Sequence, residues 1–311
     1  MAVTAARADV LVLRALGLGD ALTGIPALRG VRRAWPDRRL VLAAPEVVGR
    51  WLQGLGLVDE VLDTVGLLAP LRWVGRQHVA VNLHGRGPQS HALLAETRPS
   101  RLVAFATPDH SGPAWRPDEH EVDRWCRLVR SAGGACDRDD LRLHVGAVRS
   151  TEALLHPGAA SAARRWPAER WAVVARHLAD RGVPVTLTGG PAEQGLCEHV
   201  RAHAGPGVRL AGRLSLAGLA ARVAGARLLV CGDTGVAHLA TATGTPSVLV
   251  FGPTPPLWWG PAIDADLHPV LWHGNGSAVG DPHGTVLDPA LDAIGTDEVV
   301  TAVDALLASS G

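Results

Sequence analysis

The sequence predicts an α/β protein of two domains, each a parallel sheet covered by helices, with a cleft between the carboxyl ends of the two sheets. Three observations predict it. Apolar runs of strand length alternate with helically spaced patterns along nearly the whole chain, as they do where parallel strands are joined by helical crossovers. The alternation stops and restarts around Leu141–Ser150, which divides the chain near residue 148 into segments 1–148 and 149–311. At 311 residues the chain is long for one core and comfortable for two.

In the first segment Val10–Arg14 reads as a strand. Asp20–Arg33 then carries Leu22, Ile25, Leu28 and Val31 at helical spacing. Leu40–Ala44, Val58–Leu62, Val79–Leu83 and Leu102–Phe105 are further short apolar runs. Ala106–Pro117 is a loop by its Pro, Gly and Ser content, and a helix resumes over His120–Ala132. In the second segment Leu154–His156, Val183–Thr188, Val208–Ala211, Leu228–Cys231 and Ser247–Phe251 read as strands. Helices fall over Ala168–Asp180, Leu216–Ala224 and Val236–Thr243, with another after Val183–Thr188. The last helix, Asp297–Leu307, is amphipathic and can pack on either half.

Composition narrows the class. A 47% hydrophobic and 19% charged chain is globular. Its net charge is zero and all 30 basic residues are arginine, so there is no footprint for general nucleic-acid binding. Cys126, Cys136, Cys197 and Cys231 are scattered, form no CxxC pair, and suggest neither a disulfide framework nor a zinc site. Cys231 reads as a small buried thiol. The N-terminus is too short and too punctuated in its apolar run for a signal peptide or a membrane span. The expectation is a cytoplasmic monomer with at most peripheral membrane contact.

Ligands of open parallel sheets bind outside the carboxyl ends of strands, so residues just after strands carry the chemistry. LRALGLGDALTG (13–24) has strand, glycine turn and helix start in the order that suits phosphates. Leu22 breaks the full GxGxxG fingerprint, which disfavours an ordinary nicotinamide site. The turn places Asp20 at a helix N-terminus, where it reads equally as an N-cap. In VCGDTGVAHLATATGTPSVLVFGPT (230–254), Gly232 and Gly235 allow a sharp turn. Thr234 offers a hydroxyl, and the following helix start is an anion site. His238 alone reads as a buried histidine and Asp233 as a cap; the cluster is stronger than its members.

LLHPGAASAARRWP (154–167) puts Gly158, Ser161, Arg164 and Arg165 in a strand-end loop, and an arginine fork suits phosphate oxygens. TGGPAE (188–193) ends on Glu193, which can accept from ribose hydroxyls or serve as an ordinary first-turn acid. There is no GxxxxGK[ST], HExxH or GxSxG. The DAD of Asp264–Asp266 reads as solvated, and DRDD (137–140) as a domain-linking surface loop.

Taken together, these motifs resemble glycosyltransferase family 9, the heptosyltransferases. The matching stretches are RALGLGDALTGIPALRGVRRAWP, HPGAASAARRWPAERW, TGGPAE and GDTGVAHLATATGTPSVLVFGPT, in family order across nearly the whole chain. The resemblance implies the GT-B fold: two Rossmann-like domains facing across a cleft, the first holding the acceptor and the second a nucleotide-sugar. It implies that Asp20, following Gly19, is the general base. It puts the donor phosphates near Arg164, Thr234 and Gly235, with Arg165 the competing arginine and Ser161 a further contact. Glu193 matches the family's ribose-contacting acid, and Asp233 and His238 its donor-site acid and histidine. Arg164 stands where the family often has lysine, which keeps the charge and changes the geometry.

The implied reaction is inverting, metal-independent transfer of a sugar, heptose from ADP-heptose, to a hydroxyl of a glycolipid, polysaccharide or natural-product acceptor. No cofactor is implied beyond the donor. Two alternatives share the fold: a nucleotide-sugar 2-epimerase, which lacks the early Gly-Asp pair, and a catalytically silent nucleotide-sugar-binding protein.

Overall fold

A computed structural model describes residues 8–74, 77–276 and 279–309. The chain divides into two compact units, Met1–Leu141 and Arg142–Gly311.

The first unit runs β1 (Asp9–Leu13), α1 (Leu18–Thr23), α2 (Ile25–Ala34), β2 (Arg39–Ala44), α3 (Glu46–Gly54), β3 (Glu60–Asp63), β4 (His78–Asn82), α4 (Gln89–Ala95), β5 (Arg101–Val103) and α5 (Glu121–Ser131). Its sheet has the order β3-β2-β1-β4-β5 and every pairing is parallel. β1 and β4 are buried along their whole length, as central strands covered on both faces must be. The chain moves outward from β1 to β3 on one side and through β4 to β5 on the other. The order therefore reverses between β1 and β4, and such a switch point opens a crevice at the carboxyl ends of the two strands.

Two expectations are corrected here. The helix expected over Asp20–Arg33 is two helices, because Pro26 has no amide to bond one turn back. Gly24 separates them, and a Cβ there would lie 2.7 Å from Nε of Arg14, so the break also makes room for that side chain. The cysteines are not all free: Cys126 and Cys136 form a disulfide. After α5, Gly133 turns at φ +96° and Gly134 runs against the Gly30 carbonyl of α2, which returns the chain beside the helix it has just left. The DRDD stretch lies at the surface as expected, in a single helical turn pinned by ion pairs. Asp140 takes both Nη groups of Arg33 at 2.5 and 2.6 Å, and Arg138 pairs with Asp123 at 2.7 Å.

The second unit runs β6 (Ala153–His156), α6 (Ala168–Asp180), β7 (Val185–Leu187), α7 (Gln194–Ala204), β8 (Val208–Leu210), α8 (Leu216–Gly225), β9 (Leu228–Gly232), α9 (Gly235–Thr243), β10 (Ser247–Val250), α10 (Pro256–Trp259), β11 (Val270–Leu271), α11 (Pro289–Asp292) and α12 (Thr296–Ser309). Its parallel sheet has the order β11-β10-β9-β6-β7-β8, with the switch point between β6 and β9. The core under it gathers Leu155, Trp166, Trp171, Val185, Val230 and Val250.

The expected division near 148 and the structural one differ by a few residues, because the chain from Arg142 onward already belongs to the second unit. Leu143 donates to the Ala242 carbonyl at 2.7 Å and Ser150 to that of Gly225 at 2.8 Å. Of the two choices expected for the final helix, the structure shows it packed on this unit. Val299 and Val303 enter its core, and Asp304 holds His177 at 2.9 Å. Asp264 of the DAD stretch is not solvated: its carboxylate pairs with Arg142 at 2.5 Å.

Candidate active site

In the first unit the sequence-predicted residue is Asp20. Gly17 is the N-cap of α1 with no side-chain cap, and Gly19 and Asp20 lie inside the first turn. The N-cap reading of Asp20 therefore falls, and its carboxyl stands at the helix start by the switch point. The turn that carries it is held by a buried cation. Arg14, the residue directly after β1, is 1% exposed. Its Nε donates to the Asp20 carbonyl, one Nη to the Leu83 carbonyl, and the other Nη to Thr23 Oγ at 3.0 Å. Glu121 balances it at 3.4 Å, and the ring of Trp125 lies 4.9 Å from the guanidinium carbon. Glu121 in turn accepts from Trp125 Nε1 at 2.6 Å and pairs with Arg124. A buried charge persists only when paired and hydrogen-bonded in this way.

The second turn under Arg14 holds His84, which follows β4. Its Nδ1 accepts from the Ala15 amide at 3.2 Å. Burial and then the Arg14 charge push its pKa down to about 4. Sequence reading missed Arg14, His84 and Glu121. The available signal was a charged residue directly after an all-apolar strand and a His-Gly pair after another.

In the second unit the loop after β6 meets the loop after β9 at the other switch point. Arg164 donates to the Asp233 carbonyl at 3.1 Å, with the Asp233 carboxylate at 3.9 Å. Arg165 diverges: its Nε bonds the Ala159 carbonyl at 2.8 Å, and the residue lines a cavity of about 340 Å³ with Ser161, His283 and Thr285. Of the two arginines, Arg164 is the one that contacts the Gly-Asp-Thr-Gly turn. Trp166 fixes the divergence by burying its ring and donating to the Ile294 carbonyl at 3.1 Å.

Thr234, not Asp233, is the N-cap of α9, and its side chain makes no cap bond. Its hydroxyl is buried, takes no helix amide, and has the Cys231 thiol as its side-chain neighbour. The first amides of any helix lack acceptors within it, so at Thr234, Gly235 and Val236 a helix start and a buried hydroxyl coincide. Beneath them the Cys231 thiol is fully buried and its pKa is raised by desolvation, so it stays protonated. His238, 8% exposed, sits 6.0 Å from the Trp259 ring in edge-to-face contact. The Ser161 hydroxyl donates to the Pro282 carbonyl at 2.6 Å and accepts from Arg164 Nε at 3.4 Å.

Glu193 takes the Gly190 amide at 2.6 Å on Oε2, while Oε1 lies over Gly158, where a Cβ would come within 2.0 Å. His156, buried and shifted toward the neutral form by desolvation, sits below with Nδ1 3.0 Å from Thr188 Oγ and Nε2 3.9 Å from the carboxylate. His156 and Thr188 were not predicted. Among the described residues, no three His, Cys, Asp or Glu side chains gather to hold a metal ion.

Two doubly wound parallel sheets in succession, each with polar residues at its switch point, are the architecture of the GT-B class. A family model for glycosyltransferase family 9 (heptosyltransferase) matches residues 114–274. That is more than half of the chain, and the chain belongs to this family. Lipopolysaccharide heptosyltransferase 1 of Pseudomonas aeruginosa is 29% identical over 318 residues, covering 83% of this chain and 82% of its own. A glycosyltransferase family 9 structure from Veillonella parvula superposes with a TM-score of 0.80 at 19% identity, over 99% of this chain and 100% of that one. Escherichia coli heptosyltransferase WaaC with ADP gives 0.72 at 19% identity, over 96% and 99%. At such identities the structural likeness speaks for the fold alone.

Proposed function

We propose that this glycosyltransferase moves heptose from ADP-heptose to a hydroxyl of a lipopolysaccharide-core or related saccharide acceptor, inverting the anomeric centre without a metal. Asp20 accepts the acceptor hydroxyl proton as its oxygen bonds the anomeric carbon. The bond from that carbon to the diphosphate oxygen breaks on the opposite face, and ADP leaves. Arg164 and the α9 start stabilise the departing charge, and Glu193 takes the ribose hydroxyls. The relatives' names and the ADP in the WaaC structure support the choice of donor. The Gly-Asp pair favours transfer over epimerisation. The first unit is read as the acceptor side, the second as the donor side, and the cytoplasm as the place where the enzyme meets its donor.

The observation that carries this reading is the buried Thr234 hydroxyl at the uncapped start of α9. Thr234→Val removes that hydroxyl at constant shape. A hydrogen bond to a charged group is worth about 1.5–3 kcal/mol, so the variant should lose affinity for ADP about tenfold while its unliganded melting temperature stays close to that of wild type. Thermal shift against ADP concentration reads both quantities. Unchanged ADP affinity would remove the diphosphate from this turn.

A further inference from the structure

We propose that His84 is an acceptor-binding residue, whose Nε2–H donates to an oxygen of the acceptor sugar beside the hydroxyl that Asp20 deprotonates. The inference rests on the reading of Asp20 as the base.

The placement comes from Arg14. One guanidinium donates to the carbonyls of both Asp20 and Leu83, so the turns carrying Asp20 and His84 lie within the span of a single planar fork. Both follow the two strands that flank the switch point, where small ligands of such sheets bind.

The chemistry comes from the tautomer. The Ala15 amide donates to Nδ1, so that nitrogen is bare and the neutral ring carries its proton on Nε2. Asn82, fully buried, holds the backbone around the ring. Its Oδ1 accepts from the His84 amide at 3.0 Å, and its Nδ2 donates to the Gly85 carbonyl at 3.1 Å and to Ser90 Oγ at 2.9 Å. The ring is thus oriented from both sides. Nε2 itself makes no hydrogen bond with any described residue, and it is not among the buried, unpartnered atoms. An oriented, solvent-reaching donor at the mouth of the crevice is a recognition group for a sugar hydroxyl or an anionic oxygen. The depressed pKa agrees: the ring stays neutral at ordinary pH, so the same single donor is presented throughout.

A purely structural His84 would matter only through Nδ1. His84→Asn separates the roles, since Oδ1 of Asn can take the Ala15 amide while the Nε2 donor is lost. The assay supplies ADP-heptose and heptose-deficient lipopolysaccharide to wild type, His84→Asn, His84→Gln and Asp20→Asn. Expected for His84→Asn is an acceptor KM raised about tenfold, with donor KM and melting temperature unchanged. His84→Gln, whose amide nitrogen reaches the Nε2 position, should recover part of the acceptor KM even if its anchor to Ala15 is weakened. An acceptor KM at the wild-type value in both folded variants overturns the role of His84 while Asp20→Asn stays impaired. A wild type that transfers no heptose here takes down the parent reading and this one with it.

Discussion

Asp20 is the residue on which the proposed reaction turns. Asp20→Asn keeps size and most hydrogen bonding but cannot accept a proton. General base catalysis is worth about 10²–10⁴-fold, so turnover should fall by that factor. ADP affinity should hold, since the residues proposed for the diphosphate lie in the other unit. Measuring both on one variant decides the matter, and near-wild-type turnover would leave Asp20 a first-turn charge. The sequence pointed to Asp20 through the glycine turn before it, and could not separate base from cap because both want an acid at a helix start. The observed start at Leu18, with Gly17 as cap, removes the cap reading and leaves the base to be tested by the variant. Ser161 shows the opposite limit: its engagement with Pro282, 121 positions away, has no local signature.

At the scale of elements, the loops after β6 and β7 meet where Gly158 receives the Glu193 carboxylate. A Cβ within 2.0 Å must displace that carboxylate, so Gly158→Ala should weaken ADP binding with little loss of turnover at saturating donor. A KM for donor equal to wild type would dissociate Glu193 from the nucleotide. The α5 region offers a covalent check. Of four cysteines, Cys197 and Cys231 are free, so denatured, unreduced protein should titrate two thiols rather than four. Reduction should destabilise the first unit by up to about 3 kcal/mol, the loop-entropy value for a bridge of this short span, visible as a lower melting temperature in dithiothreitol. Strand alternation was legible because burial on both faces writes itself into every residue of β1, β4 and β9. The pairing of Cys126 with Cys136 was not, because it depends on a glycine return past α2 that no spacing rule encodes.

For the whole molecule, acid response follows from its buried histidines. Burial pushes His268, 1% exposed, and His84 each down to about 4. An unfolded histidine titrates near 6.5, so below that value the unfolded chain takes up protons the folded one refuses. Stability from these groups is full above about pH 6.5 and is lost as pH falls toward 4. Calorimetry from pH 8 to 4 should show the melting temperature declining through that window; a flat profile between 7 and 5 would contradict the burial of these rings. The stitching of Leu143 and Ser150 to α9 and α8 has a consequence for where the gene can be cut. Each half has its own sheet and core, so separately expressed fragments divided after Leu141 should each give a dispersed amide spectrum. Division after residue 148, where the alternation restarts in the sequence, strips the carboxyl-terminal fragment of the Leu143 contact and leaves a greasy, dangling strip on its neighbour. That fragment pair should be the one that precipitates.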